Sequence, residues 1–366
     1  MRIVYLLTSL GIGGAERQVV ALAGRMAARG HTVALIVLTP RMTEQWPTPL
    51  PVVHLGLRKS PASLLAALAA ARKFLAQFHP DLVHSHTFHA NILGRLLHLF
   101  IPAPVLSSIH SVYDGGPARM LAYRLTDPLS VLTTAVCQAA VERYVRHKAV
   151  PTAKCIRMTN AIDAGEFAPN PDRRQRIRAE MGAASEFIWL TAGRIAPAKD
   201  YPNLLRAFAQ VHTASANARL WIAGQAAAAD SSAMRDLTAH LGLSDTVRWL
   251  GLRRDLPALL DAADAFVLAS AWEGMPLAVG EAMAMELPLV ATGVGGVREL
   301  VGECGSIVPP KNPEALAQAM LRTMKSSEQD RRALGRAARQ HILHHFGIDA
   351  RVSEWEAVYR SMTTAG

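Results

Sequence analysis

Three short stretches carry residue types whose spacing could do chemistry. In SAWEGMPLAVGEAMAM, residues 270–285, two acids, Glu273 and Glu281, stand eight positions apart. Gly-Met-Pro turns the chain between them, and Pro276 suits the first turn of the helix that follows. A helix start offers unpaired amides to an anion or a polar ligand. Two acids framing such a turn suit the hydroxyls of a sugar and of a ribose; the alternative is that Glu273 caps its own turn and Glu281 pairs with a neighbouring base. In AGRIAPAKDYPNLLRAF, residues 192–208, Arg194 and Lys199 share a short loop between a strand and a helix. Two cations so held can neutralise a diphosphate, Arg as a planar fork and Lys as a point charge; the alternative is a solvated loop. In SLGIGGAERQ, residues 9–18, glycines stand at a strand-to-helix turn. Gly11 and Gly13 fill the first two places of a G-x-G-x-x-G fingerprint. The third place is Glu16, and no acid follows the second strand, which ends LIVLTP. A nicotinamide or flavin cofactor is therefore disfavoured. What remains is a helix start suited to phosphate, beside the plainer alternative of a tight turn without ligand.

Histidines crowd FHPDLVHSHTFHA (78–90) and SSIHSVYD (107–114). His84 and His86 alternate along one strand and share a face. A metal there is one option, although there is no HExxH and no clear third ligand. His110 falls just past a strand end, at the carboxyl edge where open α/β sheets bind ligands. It is the better functional candidate, and His84 reads as a core or supporting residue. The sequence has no D-x-D pair, no GxxxxGK[ST] phosphate loop and no GxSxG nucleophile.

These residues need a scaffold that brings loops to one edge. Short apolar runs at 2–8, 32–38, 81–85, 104–109 and 131–136 read as strands buried on both faces. Helical patterns fall between them at 14–29, 61–78, 88–100 and 138–147. Strands restart near 187–192, 218–223, 246–249, 265–269 and 288–291, so βαβ units run through both halves. Alanine-rich 61–71 and 226–229 read as helix or loop filler. The stretch NAIDAGEFAPNPDRRQR, residues 160–176, has linker chemistry. The expectation is α/β: two tandem doubly wound, Rossmann-like domains over 1–165 and 166–345. A tail of three helices over 312–363 follows, and the last segment, 346–366, crosses back to the first domain with Trp355 and Tyr359 on one buried face.

Of the 366 residues, half are hydrophobic and 19% are charged, a globular balance. No apolar run reaches the ~18–20 residues that span a bilayer, and residues 3–9 are too short for a secretory signal. The expectation is a cytoplasmic protein. Three cysteines without CxxC spacing speak against disulfides and structural zinc. The net charge is +10, and residues 1–168 hold 17 Lys and Arg against 8 Asp and Glu, while 169–366 hold 22 against 21. The first half would attract an anionic acceptor or an anionic membrane. On helix candidate 61–78, Leu64, Leu65, Leu68 and Phe74 could dip into an interface while Arg58, Lys59, Arg72 and Lys73 meet lipid phosphates. The alternative is that the leucines are a core face.

Taken together, GGAE (13–16), DLVHSH (81–86), the histidine after SSI (His110), NAID (160–163), GRIAPAKD (193–200) and EGMPLAVGEAM (273–283) make the chain resemble the retaining glycosyltransferases of family 4, bacterial type, with the GT-B fold. The likeness runs over essentially the whole chain. Its departures are Met-Pro where many members have Phe-Gly, and Asp200 where many have glycine. The resemblance implies a nucleotide-diphosphate-sugar donor, UDP-sugar favoured, and a saccharide or lipid-linked saccharide acceptor. It implies no cofactor, no metal and no nucleic acid. Arg194 and Lys199 would bind the donor diphosphate. Glu281 would hold the ribose, and Glu273, with the amides of Gly274, Met275, Pro276 and Leu277, the donor sugar; proline has no amide hydrogen, so that position contributes only backbone shape. Gly13 and Gly14 would close on the phosphates from the other domain, and His110 would sit beside the transferred sugar. Glu16 is free to serve the helix start or the acceptor, since no dinucleotide packs there, and Glu16 and His84 are the candidates for the acceptor side. Domain closure would exclude water. Competing readings are a catalytically silent GT-B subunit that binds a nucleotide or partner, and a GT-B nucleotide-sugar epimerase. Peripheral attachment at the inner face of the cytoplasmic membrane is a further expectation.

Overall fold

A computed structural model describes residues 1–11, 13–42, 46–58, 60–113, 115–225 and 228–363. Lys59 of the basic row, and Ala226 and Ala227 of the alanine run, lie outside the described residues. The chain divides into two units, Met1–Ala161 with the C-terminal segment from Ile348, and Ile162–Gly347.

The first unit carries β1 (Arg2–Leu7), α1 (Gly14–Ala28), β2 (Thr32–Val37), β3 (Val52–His54), α2 (Pro61–Phe78), β4 (Leu82–His86), α3 (Phe88–Leu97), β5 (Val105–Ile109), α4 (Pro117–Thr126), β6 (Leu132–Ala135), α5 (Gln138–Arg146) and β7 (Cys155–Arg157). The seven strands pair in parallel in the order β3-β2-β1-β4-β5-β6-β7. Ile3, Tyr5 and Leu7 point into one cluster and Val4 and Leu6 into the other. This two-sided burial explains why the strands read as unbroken apolar runs.

The second unit carries α6 (Pro171–Glu180), β8 (Phe187–Ala192), α7 (Tyr201–Ala214), β9 (Ala218–Ala223), α8 (Ala228–His240), β10 (Val247–Gly251), α9 (Leu256–Ala262), β11 (Ala265–Leu268), α10 (Leu277–Ala284), β12 (Leu289–Thr292), α11 (Val297–Val301), β13 (Ser306–Val308), α12 (Pro313–Lys325) and α13 (Glu328–His345). Its six strands are parallel in the order β10-β9-β8-β11-β12-β13. Both sheets reverse strand order once, between β1 and β4 in the first unit and between β8 and β11 in the second. Such a switch point opens a crevice at the carboxyl ends of the two strands.

The last helix, α14 (Ile348–Thr363), packs on the first unit as its aromatic stripe predicts. Trp355 and Tyr359 are buried with Tyr5, Leu35 and Leu106, and Arg29 and His31 pair with Glu356. The change of unit, between Ala161 and Ile162, falls inside the stretch 160–176 read as a linker, at its start and ahead of the expected bound at 165. Ile162 is already core of the second unit: its amide donates to Phe346 O at 2.8 Å, and a Cβ on Gly280 would meet its Cδ1 at 2.6 Å. The three-residue strands β3, β7 and β13 are too short to show a pattern, and helix α4 follows a Gly-Gly-Pro that reads as loop.

Candidate functional site

In the second unit the loops after β8 and β11 meet at the switch point. Leaving β8, the chain makes a tight turn over Pro197–Lys199, and Asp200 then starts α7 in the left-handed region with φ +46°. That conformation is why glycine suits the position; aspartate tolerates it and caps the helix, accepting from Asn203 N at 3.4 Å. Lys199 Nζ donates to Glu273 Oε1 at 2.5 Å, and Ser270 Oγ donates to the same oxygen at 2.7 Å. Ala271 N donates to Ala198 O at 2.8 Å, so the two loops are also pinned through their backbones. A Cβ on Gly193 would meet Lys199 Cε at 3.0 Å. The glycine leaves room for the lysine stem. Arg194 is exposed and has no side-chain partner among the described residues.

Pro276 stands at the N-cap of α10 rather than inside its first turn, and no side chain caps that helix. The two acids are enclosed, Glu273 at 9% and Glu281 at 3% exposure. Burial, with the Glu273 charge nearby, pushes the Tyr201 phenol up, while its hydroxyl donates to Gly193 O at 2.8 Å. The segment after β12, TGVGG at 292–296, also shapes this site. Thr292 Oγ1 donates to Ser270 O at 2.7 Å. Gly296 N donates to Gly274 O at 2.7 Å. A Cβ on Gly295, at φ +53°, would lie 2.1 Å from Glu273 O. Sequence reading passed over this stretch, although it has the same strand, glycine, helix grammar as SLGIGG.

In the first unit the crevice between β1 and β4 is closed by Thr8 and Thr87, whose hydroxyls lie 2.7 Å apart. Thr87 has φ +69°, a strained setting for a β-branched residue. Gly13 caps α1 with its backbone, and a Cβ there would meet Glu16 Oε2 at 2.3 Å. Glu16 accepts from Ser9 Oγ at 2.9 Å. Its carboxylate is thus held at the turn that leads into the helix. Gly14 opens the helix and is exposed. His84 takes the core or supporting reading rather than the acceptor-side one. It is fully buried, with Nδ1 2.7 Å from Tyr359 Oη and Nε2 2.7 Å from Ser108 Oγ, so both nitrogens are engaged and no face is left for an acceptor or a metal. His84 and His86 rings lie 3.9 Å apart, and His86 Nδ1 is 3.0 Å from His110 Nε2. Among the described residues no three His, Cys, Asp or Glu are placed to hold a metal ion. Burial lowers the pKa of His84 and His86 well below the usual imidazole range and that of His110 to about 4, so the cluster is neutral.

Comparisons with known proteins bear on this arrangement. A model of "Glycosyltransferase Family 4" matches residues 12–166, and one of "Glycosyl transferases group 1" matches residues 186–326. The chain belongs to glycosyltransferase family 4. Among the relatives of this glycosyltransferase is the UDP-Gal:alpha-D-GlcNAc-diphosphoundecaprenol alpha-1,3-galactosyltransferase of Escherichia coli, 25% identical over 315 residues, covering 81% of this chain and 80% of that one. The D-inositol 3-phosphate glycosyltransferase of Kineococcus radiotolerans is 29% identical over 401 residues, covering 95% and 90%. Anabaena Alr3699/HepE in complex with UDP and glucose has the same fold, with a TM-score of 0.87 at 20% identity over 99% of this chain and 100% of that one. Sucrose-phosphate synthase from Thermosynechococcus elongatus has a TM-score of 0.86 at 21% identity over the whole of both chains. The GT-B fold of the glycosyltransferase is thus the one its motifs imply. Among its described residues no helix is long and apolar enough to cross a membrane.

Proposed function

We propose that this glycosyltransferase moves a sugar, with retention at the anomeric carbon, from a UDP-sugar to a saccharide or lipid-linked saccharide, without a metal. The observation that carries the reading is the Lys199–Glu273 contact at the switch point of the second unit, with Arg194 exposed in the same loop. The named relatives support the donor and acceptor classes: one is described by a UDP-sugar and a diphosphoundecaprenol acceptor, and a structural neighbour holds UDP and glucose. Arg194 and Lys199 stabilise the departing diphosphate, a charge that grows in the transition state. The acceptor hydroxyl attacks C1 on the face from which the diphosphate leaves. Its oxygen bonds to C1 as the C1–O bond to phosphate breaks, and its proton passes to a departing phosphate oxygen. Glu281 holds the ribose, Glu273 holds the donor sugar, and His110 lies beside the transferred sugar.

The test is a thermal-shift panel of UDP-, GDP- and ADP-sugars, followed by two variants. A ligand that binds only the folded state raises its melting temperature, and the UDP-sugar is expected to raise it most. Glu281→Ala is expected to weaken free UDP about tenfold, the value of one good hydrogen bond, whereas Glu273→Ala spares free UDP and lowers transfer. No shift with any nucleotide-sugar overturns the donor; equal losses of UDP affinity overturn the division of roles.

A further inference from the structure

We propose that His86 is the positioning residue of His110: it donates from Nδ1 to His110 Nε2 and so fixes His110 as the tautomer that carries its proton on Nδ1. The inference rests on the reading that His110 lies beside the transferred sugar.

The geometry is set by strand register. His86 ends β4, where it pairs with Leu7 of β1 and Ser108 of β5, and His110 follows β5 directly. The His86 residue is 2% exposed, its ring stacked on Tyr5 at 5.9 Å and packed at a tilt against His84 at 3.9 Å and His110 at 5.3 Å. His84 is itself clamped between Tyr359 of α14 and Ser108, and Tyr359 Oη lies 3.1 Å from Tyr5 Oη. Ser108 Oγ continues to Thr134 Oγ1 at 2.6 Å. This wall of rings and hydroxyls leaves His86 no room to turn. Among the described residues, the 3.0 Å bond between the two imidazoles joins the wall to His110.

A bond between two neutral imidazoles holds a single proton, and the two remaining nitrogens decide where it sits. His86 Nε2 and His110 Nδ1 are both buried without a partner. If His110 Nε2 donates, His86 must carry an N–H on Nε2, sealed inside the wall with nothing to accept it. If His86 Nδ1 donates, the unpaired N–H falls on His110 Nδ1; that atom is buried too, but its ring is half-buried at the carboxyl edge of the sheet, where a small turn can bring it to a ligand, whereas His86 is 2% exposed. An unpaired buried donor costs about 1–3 kcal/mol, more than a bare acceptor. The second arrangement is the stable one, because a sugar oxygen can satisfy the donor on His110 and nothing can satisfy one on His86. His110 is then held ready as a hydrogen-bond donor, with the ring neutral.

Histidine side-chain 15N NMR on the full chain at pH 7 reads the tautomer directly. The wild-type protein is expected to show His110 with Nδ1 protonated and Nε2 bare. Finding Nε2 protonated overturns the proposal without any variant. In His86→Leu the His110 signals are expected to move to a tautomer mixture, with kcat falling about tenfold or more and KM for the UDP-sugar changing by less than about twofold. His86→Asn places an amide donor near the lost Nδ1 and is expected to restore most of the tautomer and of kcat. Unchanged His110 signals in His86→Leu overturn the proposal. Failure of the underlying reading looks different: His110→Ala would then transfer sugar as well as the wild type, whatever the tautomer.

Discussion

The two switch points share one topology and differ in the side chains gathered there. At the crevice of the second unit, a lysine, a carboxylate and an exposed arginine meet over uncapped helix amides. At that of the first unit, the side chains facing one another are imidazoles, phenols and hydroxyls, without a formal charge. The difference follows from what each end must do in glycosyl transfer. A departing diphosphate gains negative charge and is best met by fixed cations. A neutral sugar and an acceptor hydroxyl need direction rather than charge, which rings locked by hydrogen bonds provide. Surface character divides the same way. Among the described residues, the exposed large hydrophobics Met42, Leu64, Leu65, Leu99, Phe100, Tyr113, Leu121, Leu125 and Val131 lie in the first unit, and Trp272 and Leu343 in the second.

The sharpest way to break the comparison is to remove the charge from the second unit. Lys199→Ala and Arg194→Ala each delete a charge-assisted contact that strengthens as the phosphate departs, worth about 3–4 kcal/mol in comparable sites. Transfer is expected to fall by two orders of magnitude or more for either change, and activity in EDTA is expected to match that in buffer. Because Lys199 also pairs with Glu273, the double variant Lys199→Ala/Glu273→Ala is expected to lose less than the product of the single losses. A Lys199→Ala enzyme of full activity would show that the charged crevice is not the reacting end.

A smaller effect separates the units by acid. The His110 pKa, lowered by burial to about 4, lies below its ordinary value of about 6.5. As pH falls below about 6.5 the unfolded chain takes up this proton while the folded chain does not, so the stability from the neutral imidazole is complete above that pH and drains away between about 6.5 and 4. The shift corresponds to about 3 kcal/mol at most, and His84 and His86 move in the same direction. Hydrogen exchange at pH 7.5 and 5 is expected to show protection lost at Val83 and Leu106, on β4 and β5, well before Leu190 and Phe266, on β8 and β11. Equal losses in both sheets would place the acid sensitivity outside the histidine cluster.

How much of this was legible in the sequence follows the same division. The motifs of the second unit are local: Arg194 and Lys199 share one loop, and Glu273 and Glu281 one turn and helix, so spacing alone brings them together. The first unit's cluster is not local. His84 meets Tyr359, 275 positions away, and no pattern within either stretch announces that contact, although the Trp355–Tyr359 stripe announces that the helix must bury. Period-two alternation placed His84 and His86 on one face, which the 3.9 Å ring contact bears out. It could not show that α14 would cover that face and turn His84 from an acceptor-side residue into a wall. For Glu16 the sequence left two uses open, the helix start or the acceptor; the structure shows its carboxylate folded back beside the bare Gly13 and accepting from Ser9.

The smallest effect concerns the apolar surface of the first unit, where a lipid-linked acceptor would bring an anionic membrane. Not all of the helix read as a membrane contact is free for one, because Leu68 and Phe74 of α2 turn inward against Leu75, Val83 and Leu97. What remains outside is Leu65 at 68% exposure on α2, Leu99 and Phe100 after α3 at 61% and 54%, and Leu121 and Leu125 on α4 at 54% and 71%. These helices cover the same side of the sheet: α2 and α3 share one cluster with Val4 and Leu6, and α4 joins α3 through Asn91 Nδ2, which donates to Tyr123 Oη at 3.0 Å. Arg72 lies over the Phe100 ring at 5.6 Å, and Lys73 and Arg124 are exposed. Each such charge near a surface is worth about 1 kcal/mol, so three give reversible attachment that a shorter Debye length undoes. In flotation assays the protein is expected to rise with anionic but not neutral vesicles at low salt, and to stay behind at high salt. Leu125→Asp, at an exposed site that costs the fold little, is expected to weaken flotation and leave UDP-sugar binding unchanged; Lys73→Ala is expected to cost about fivefold. A protein that stays with the soluble fraction on anionic vesicles at low salt would mean that these side chains face water or another protein, and that the acceptor reaches the enzyme without the membrane.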